Sequence, residues 1–268
     1  MAPEQAAAKR DIDWGKVMEM ALTAPGDLGS TYSAVPGLHQ YSYLNMVYLQ
    51  MQGAEGLVAT LKRWNALGRT VLKGSKAYEI VRPIFAKPKE GEEEAEPQLI
   101  GYKPVRCIFT YSQTKGDELP PPVIPEWNLE LALEKLGIKR VPFRRSDSTI
   151  QGYAYDRNVA INPFAKFPLK TTIHEAAHIA LGHTLPDQLA EYERHRGIKE
   201  FEAEGSSHLV MTELQTMTEE QASISRAYIQ GWLRGERPPE KSIKQVFHTV
   251  DVILKAGRLA IDNVIEGE

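Results

Sequence analysis

The spacing of apolar residues along the chain predicts a first half of mixed helix and strand and a second half that is mainly helical. In the first half, a helical period covers residues 14–22 and 42–52, and β-rich runs follow at 77–85 and 99–111. In the second half, a strand pair is predicted at residues 152–155 and 159–161. Further helices are predicted at residues 129–136, 188–195, 198–217, 222–232 and 241–259.

A proline-rich segment separates the two halves. Pro120, Pro121, Pro122 and Pro125 remove backbone donors and favour an extended connector. We therefore predict two domains, at residues 1–117 and 126–268, joined by a linker at residues 118–125. The predicted fold class is α+β, with a mixed first domain and a mainly helical second domain that carries a small β-sheet. Residues 87–97 are rich in glutamate and proline, which predicts a solvated hairpin tip in the first domain.

Composition places the chain among ordinary globular proteins. It has 268 residues, 42% hydrophobic and 25% charged, and a net charge of −3 that gives no global signature of nucleic-acid binding. Cys107 is the only cysteine, which excludes an internal disulfide or a zinc cluster made of thiolates. No apolar run has the length of a signal peptide core or a membrane span, so a cytoplasmic setting without membrane contact is expected.

The segment from His174 to His178 carries the strongest chemical signal. On a helix, two histidines four residues apart project from the same face and can hold one zinc ion. Glu175 lies between them, where it can take a proton from a zinc-bound water, as in metal-dependent hydrolases of the zincin type. Two alternatives remain at this point. The pair can be a chance match on a buried helix, or Thr172 and Glu175 can form a capping box that uses Glu175 on backbone amides.

A catalytic zinc needs a third protein ligand, which must lie elsewhere in the chain. A metzincin would have glycine and histidine at positions 181 and 184, but these are Leu181 and Thr184, so His183 is expected only to lie near the helix end. Glu200 and Glu204 share a helix face, which suits one as ligand and the other as partner of a ligating histidine, whereas Glu202 points elsewhere. The spacing resembles that of gluzincins, and this likeness implies Glu200 as the ligand, with Glu204 as its support or as an alternative ligand.

A local basic stripe lies in the first domain. From residue 62 to residue 87 there are seven cations against one acid, Glu79. Trp64 lies within the stripe and three tyrosines precede it, so cations for phosphates are interleaved with rings that can stack on unpaired bases. This pattern predicts a single-strand binder without sequence preference; the alternative is solvated cations beside core aromatics. The seven cations are Lys62, Arg63, Arg69, Lys73, Lys76, Arg82 and Lys87, and the tyrosines are Tyr41, Tyr43 and Tyr48.

The ordered set of motifs resembles ArdC-type antirestriction proteins. The likeness runs through residues 39–45, Gln50, residues 64–74 and 109–120, the helix with His174, and residues 200–204. It implies an N-terminal domain that binds single-stranded DNA, a C-terminal zincin-like metallopeptidase domain, and protection of incoming DNA against restriction during transfer. The DNA-binding residues predicted from the stripe and the resemblance are Tyr41, Tyr43, Asn45, Lys62, Arg63, Trp64, Arg69, Lys73 and Lys76.

Two other functions stay open. In the first, the protein only binds single-stranded DNA and the metal stabilises the fold, in which case Glu175 has no role as a base. In the second, it is a protease that acts on DNA-bound proteins and resembles SprT-type enzymes, although those use a third histidine where this chain offers Glu200. For a peptidase, the strand at residues 159–161 is predicted to pair with the substrate. The oxyanion donor is left open among Tyr228, His208 and His248.

Overall fold

The structure is a computed structural model that describes residues 12–24, 26–33, 35–86, 99–121, 123, 126–147, 149–233 and 236–259. The predicted hairpin tip at residues 87–97 lies outside the described residues. So do residues 122, 124 and 125 of the predicted linker. The α+β fold class is confirmed within the described part of the chain.

The first half contains short helices and two small antiparallel sheets. Its helices begin at side-chain caps: Asp13, Ser42 and Thr60 each accept a hydrogen bond from the backbone N–H three residues later. The elements are α1 (Trp14–Thr23), α2 (Leu28–Ser33), α3 (Tyr43–Met51), β1 (Val58–Thr60), α4 (Leu61–Ala66), β2 (Arg69–Val71), β3 (Tyr78–Phe85), β4 (Leu99–Thr110) and β5 (Thr114–Gly116). Strands order as β1-β4-β3 in one sheet and β2-β5 in the other.

The side-chain amides of Asn45 on α3 and of Gln52, just after α3, cover the outer edge of β3. Asn45 accepts from the Val81 N–H at 2.7 Å and donates to the Val81 carbonyl at 3.1 Å. Gln52, which follows the end of α3, bonds the N–H and carbonyl of Glu79 in the same way, both at 2.8 Å. These amides satisfy backbone groups that an edge strand otherwise leaves open. Asn45 is therefore engaged in the fold, which corrects its predicted role in DNA binding.

The second half packs helices around a three-stranded sheet. Its elements are α5 (Leu129–Lys135), β6 (Lys139–Arg140), β7 (Gly152–Tyr155), β8 (Asn158–Ile161), α6 (Pro168–Ala180), α7 (Leu189–Arg194), α8 (Arg196–Glu213), α9 (Glu219–Leu233) and α10 (Glu240–Gly257). The sheet order is β6-β8-β7, with β8 parallel to β6 and antiparallel to β7. The prediction that residues 159–161 form a free edge is wrong, because β8 lies in the middle of the sheet.

One hydrophobic core spans both predicted domains. Val17 and Met18 of α1 belong to the same buried cluster as Phe201 of α8 and Val246 of α10. Hydrogen bonds also join the halves: the N–H groups of Leu28 and Gly29 donate to Glu213 at 2.9 and 2.7 Å, and the Tyr43 N–H donates to Asp251 at 2.7 Å. The division into two domains stays a prediction, and the shared core shows that the halves pack closely.

The helices of the described residues include none that is both long enough and apolar enough to span a membrane.

Candidate metal centre and basic surface

Helix α6 places the histidine pair in its interior. The helix begins at Pro168, whose missing N–H costs nothing in the first turn. Thr172 is therefore already inside the helix, and its hydroxyl donates to the Pro168 carbonyl at 2.8 Å. This position excludes the alternative in which Thr172 and Glu175 form a capping box. His174, Glu175 and His178 lie one turn further on, on a helix whose other face buries Ile173, Ala176 and Ala177.

Three ligand atoms converge at this point. The Nε2 atoms of His174 and His178 are 3.2 Å apart, and Oε2 of Glu200 lies 3.6 and 3.7 Å from them. At metal–ligand distances typical of zinc, neighbouring ligand atoms of a tetrahedron are about 3.3–3.6 Å apart. The three side chains therefore already stand at the spacing that a tetrahedral cation requires. Among the described residues, His174, His178 and Glu200 are the side chains whose ligand atoms lie close enough together to hold a metal ion.

Glu204 supports His174 and is itself fully engaged. Its Oε2 lies 3.0 Å from Nδ1 of His174, while its Oε1 accepts from Lys170 Nζ and from the Ser225 hydroxyl. Although burial raises the pKa of Glu204, the hydrogen bonds and charges of His174 and Lys170 lower it to about 2. A carboxylate with both oxygens occupied suits the supporting role better than the alternative role of ligand.

The electrostatic field of the site favours a cation. Burial by itself lowers the pKa of His174, but its hydrogen bonds to Glu200 and Glu204 raise it to about 10. Burial also opposes the charge on Glu200, yet hydrogen bonds with His174, His178 and Tyr192 hold the pKa of this carboxyl far below its usual range. Carboxylates thus set a negative potential at the three ligand atoms. A divalent cation satisfies that potential while leaving both imidazoles neutral.

Glu175 is the carboxylate of the site that has no other engagement. Within the described part of the chain it makes no hydrogen bond or ion pair, and it is half-buried. Burial raises its pKa, which makes it a stronger base than an exposed glutamate. It is therefore available for proton transfer beside the ligand atoms.

Three further residues complete the surroundings and were not predicted from the sequence. The Tyr192 hydroxyl donates to Glu200 Oε1, so the ligand carboxylate is held from its far side. His183 lies between His178 and Glu202 and contacts both. The side chains of His183 and Glu202 are buried. The sequence held two signals for these contacts: a histidine just after α6, and acids at alternating positions in α8. Glu202 points away from the ligand face, as expected, but toward His183 rather than toward solvent.

The candidate oxyanion donors do not contact the ligand atoms within the described residues. His208 is buried and its Nε2 lies 3.3 Å from the Leu22 carbonyl, at the interface with α1. Tyr228 on α9 and His248 on α10 are exposed. The hydroxyl that does lie beside the site belongs to Tyr192.

The aromatic residues predicted to stack on DNA are core residues. Trp64 and Tyr43 have no exposed surface and Tyr41 is 8% exposed, so their faces are not accessible to a base. The Trp64 indole N–H donates to the Phe109 carbonyl at 2.9 Å, which fixes α4 against β4. These positions correct the predicted stacking role. The alternation of cations and a ring at residues 62–64 arises because Trp64 lies on the inner face of α4, whose outer face carries Lys62 and Arg63.

Arg69 is likewise part of the fold. It is 5% exposed, and its guanidinium donates to the Thr114 hydroxyl at 2.8 Å and to the Gly116 carbonyl at 3.2 Å. It also lies over the Tyr111 ring at 3.9 Å. These contacts join β2 to β5 and bury the guanidinium, which corrects the prediction for Arg69.

The remaining cations form an exposed surface on α4 and the β2–β5 ribbon. Helix α4 packs against β2, and Thr70 of β2 pairs with Lys115 of β5. Lys115 was not predicted from the sequence because it is distant from the stripe along the chain. We define the basic surface as Lys62, Arg63, Lys73, Lys76 and Lys115, all of which are exposed.

Comparisons with known proteins agree with the resemblance seen in the sequence. Residues 25–116 match the family model described as the N-terminal domain of anti-restriction factor ArdC. The fold is also similar to a solved structure of the antirestriction ArdC protein from plasmid R388 in its Mn(II)-bound form. That likeness has a TM-score of 0.52 and 18% identity, and it covers 92% of this chain and 98% of the other.

The metal-free structure of the same R388 protein gives a TM-score of 0.49 and 19% identity, over 92% of this chain and 96% of the other. No curated protein matches the chain. Residues 25–116 thus resemble the N-terminal domain of ArdC, and the described fold is similar to that of the R388 protein. The predicted resemblance to ArdC-type proteins is confirmed.

Proposed function

We propose that this chain is an ArdC-type antirestriction protein that binds single-stranded DNA and carries a metal-dependent peptidase site. The observation that carries the proposal is the convergence of His174 Nε2, His178 Nε2 and Glu200 Oε2, with Glu175 unengaged beside them. Two imidazoles and one carboxylate leave a fourth position open, which distinguishes catalytic from structural zinc sites. The name of the R388 structure records Mn(II), and we propose zinc here because nitrogen ligands favour it over manganese.

His174, His178 and Glu200 would hold a divalent cation, which would supply Lewis acidity to polarise a peptide carbonyl and to lower the pKa of water toward about 7. The Glu175 carboxylate takes the proton released when water attacks the carbonyl carbon, and returns it to the nitrogen of the leaving amine. Glu204 and Tyr192 hold His174 and Glu200 in place, so the ligand atoms need little rearrangement.

Strand β7 is the proposed platform for an extended peptide. It is an edge strand within the described residues, since it pairs with β8 alone. It also packs against α6. A Cβ on Gly152 would lie 2.7 Å from the Thr171 methyl group, and the Asp156 N–H donates to the Thr184 carbonyl at 3.1 Å. These two contacts bracket His174 and His178, so a peptide added to β7 would pass along the site.

We propose that the basic surface binds single-stranded DNA mainly through phosphates. Its cations are exposed, whereas the aromatic rings beneath them are buried. The free energy of binding should therefore come largely from counterion release and depend steeply on salt. A DNA strand on this surface would direct the peptidase site to proteins bound to the same DNA, which links the two halves in one protective activity in the cytoplasm.

The metal assignment is tested by metal analysis of purified protein. Wild type should contain one equivalent, His174→Ala and Glu200→Ala should lose it, and Glu175→Ala should keep it. Glu193→Ala, which replaces an exposed acid on α7, serves as the control. A full equivalent of metal in His174→Ala, with unchanged thermal stability, would refute the assignment.

An assay of protection from restriction in cells distinguishes a protein that acts as a peptidase from one that only binds DNA. Glu175→Ala should keep metal, fold and DNA binding but lose protection, because only proton transfer is removed. If this variant protects fully, antirestriction does not require proteolysis. The protein is then a single-strand binder with a metal that stabilises its fold.

A further inference from the structure

His183 is a buried histidine placed between a metal ligand and a buried carboxylate. It follows the end of α6 and is 4% exposed. Its Nδ1 lies 3.0 Å from Nδ1 of His178, and its Nε2 lies 2.9 Å from Oε2 of Glu202. Glu202 is 1% exposed, so this row of three side chains is closed to solvent.

The hydrogen bonds of this row determine where the protons are. A carboxylate only accepts, so His183 must donate to Glu202 from Nε2. A neutral His183 then presents a lone pair at Nδ1, and His178 must donate to it from its own Nδ1. This leaves Nε2 of His178 without a proton, directed at Glu200 and at Nε2 of His174.

A charged His183 would reverse this order. It would donate from Nδ1 to His178, whose proton would then lie on Nε2, the atom that faces the other ligands. The surroundings favour the neutral form, because Lys199 Nζ already lies 3.5 Å from Glu202 Oε2 and supplies the compensating positive charge. The convergence of the ligand atoms also requires an unprotonated Nε2.

We propose that Glu202 and His183 act as positioning residues that fix the tautomer of His178 and so raise the affinity of the site for a divalent cation. The inference rests on the proposed metal site. Glu204 supports the ligand His174 by direct contact. The inference adds Glu202 as a second supporting carboxylate, which acts on the ligand His178 through His183. Neither residue touches the metal or the substrate, and their role is to keep one lone pair available.

The test compares two substitutions of His183 by their zinc affinity, measured in competition with a chromophoric chelator. His183→Leu removes both hydrogen bonds, and we expect zinc affinity to fall about 10–100-fold. His183→Gln can accept from His178 through its carbonyl and donate to Glu202 through its amide, so it should restore most of the affinity. Equal affinity in wild type and His183→Leu, or equal loss in both variants, would overturn the inference.

Glu213→Gln is the matched control. Glu213 is another buried carboxylate of α8, but it accepts from Leu28 and Gly29 at the other end of the helix. Its substitution should lower thermal stability without changing zinc affinity. A loss of zinc affinity in this control equal to that in His183→Leu would show a general effect of destabilisation and overturn the inference.

A measurement on wild type covers the case in which His183→Leu does not fold. Long-range proton–nitrogen NMR correlations distinguish histidine tautomers. In zinc-loaded protein we expect the proton on Nδ1 of His178 and on Nε2 of His183. A proton on Nδ1 of His183 would overturn the inference while leaving the metal site intact, whereas wild type that binds no zinc would refute the proposed metal site and this inference with it.

Discussion

The glutamates of α8 and the cations of the basic surface are two clusters of charged side chains that differ in burial. The negative cluster is buried and the positive cluster is exposed. Glu200, Glu202 and Glu204 are buried, and each has specific partners on other elements. The cations of the basic surface are exposed to water. Buried charges cost several kcal/mol unless they are paired, so the acids constrain their neighbours strongly. Exposed charges cost little and constrain little.

This difference separates fixed chemistry from adaptable binding. On α8 the positions of donors and acceptors are determined by burial, which is what a metal site with one geometry requires. On the basic surface the exposed lysines can reorient, which suits a flexible phosphate backbone and binding without sequence preference. Substitutions should therefore have large effects on stability in the first region and small effects in the second.

The largest expected effect comes from a cation that pairs with the buried acids. Lys170→Met removes the ammonium group from Glu204, a contact whose side chains are 14% and 6% exposed. Because breaking a buried pair leaves an uncompensated charge, we expect a loss of about 3–5 kcal/mol in the free energy of unfolding. Lys73→Met on the basic surface is the matched control and should change it by less than about 0.5 kcal/mol. Equal effects in urea unfolding would contradict the contrast between the two regions.

Trp64 tests whether the rings under the basic surface are core or contact residues. Its side chain is fully buried and its indole N–H is bonded to Phe109. Trp64→Ala should therefore lower the free energy of unfolding by about 3–5 kcal/mol, through lost burial and the cavity left behind. Trp64→Phe should recover part of this loss. If Trp64→Ala is as stable as wild type but binds single-stranded DNA more weakly at every salt concentration, the ring stacks on bases and the core assignment is wrong.

The sequence predicted the elements and residues whose signal is local. The period of residues 129–136 predicted α5 (Leu129–Lys135), and the spacing of His174 and His178 predicted their common face. Helix α4 was missed because its six residues are too few to show a period and its cap, Thr60, lies in a strand. The row of His178, His183 and Glu202 joins two helices and a turn, so no local pattern contains it.

The stacking role predicted for the rings of α3 and α4 failed in a different way. An exposed ring for stacking and a buried ring of the core have the same sequence pattern, since both alternate with polar residues. Asn45 is a further case, because its pairing with β3 depends on which strand lies at the edge of the sheet. Side chains that act across elements require the tertiary structure.

The pH dependence of stability tests a buried acid that joins the two halves. Burial raises the pKa of Asp251 from 3.8 to about 6, although its hydrogen bond from the Tyr43 N–H and the charge of Arg258 oppose this. The folded state therefore binds a proton more tightly than the unfolded state. The stability from this proton is fully present below the unfolded pKa and is lost as pH rises through about 6.

Asp251→Asn keeps an acceptor for Tyr43 but removes the titration. The stability of wild type relative to this variant should fall between pH 4 and pH 6.5, by at most about 3 kcal/mol for a shift of this size. Chemical unfolding of both proteins across that range measures the difference and cancels the effect of other groups. A difference that is constant with pH, or that grows in favour of wild type as pH rises, would show that folding does not raise the pKa of Asp251.

The smallest effect on stability, and the sharpest test of the basic surface, comes from its individual cations. Lys73→Ala should leave the free energy of unfolding within about 0.5 kcal/mol of wild type, because the side chain is exposed. If Lys73 neutralises one phosphate, the slope of log affinity against log salt should become less steep by about 0.7 for a single strand. Glu55→Ala, an exposed acid outside the basic surface, should leave that slope unchanged. Binding curves over a range of salt concentrations measure the slope, and an unchanged slope in Lys73→Ala together with Lys76→Ala would place the DNA on another face of the protein.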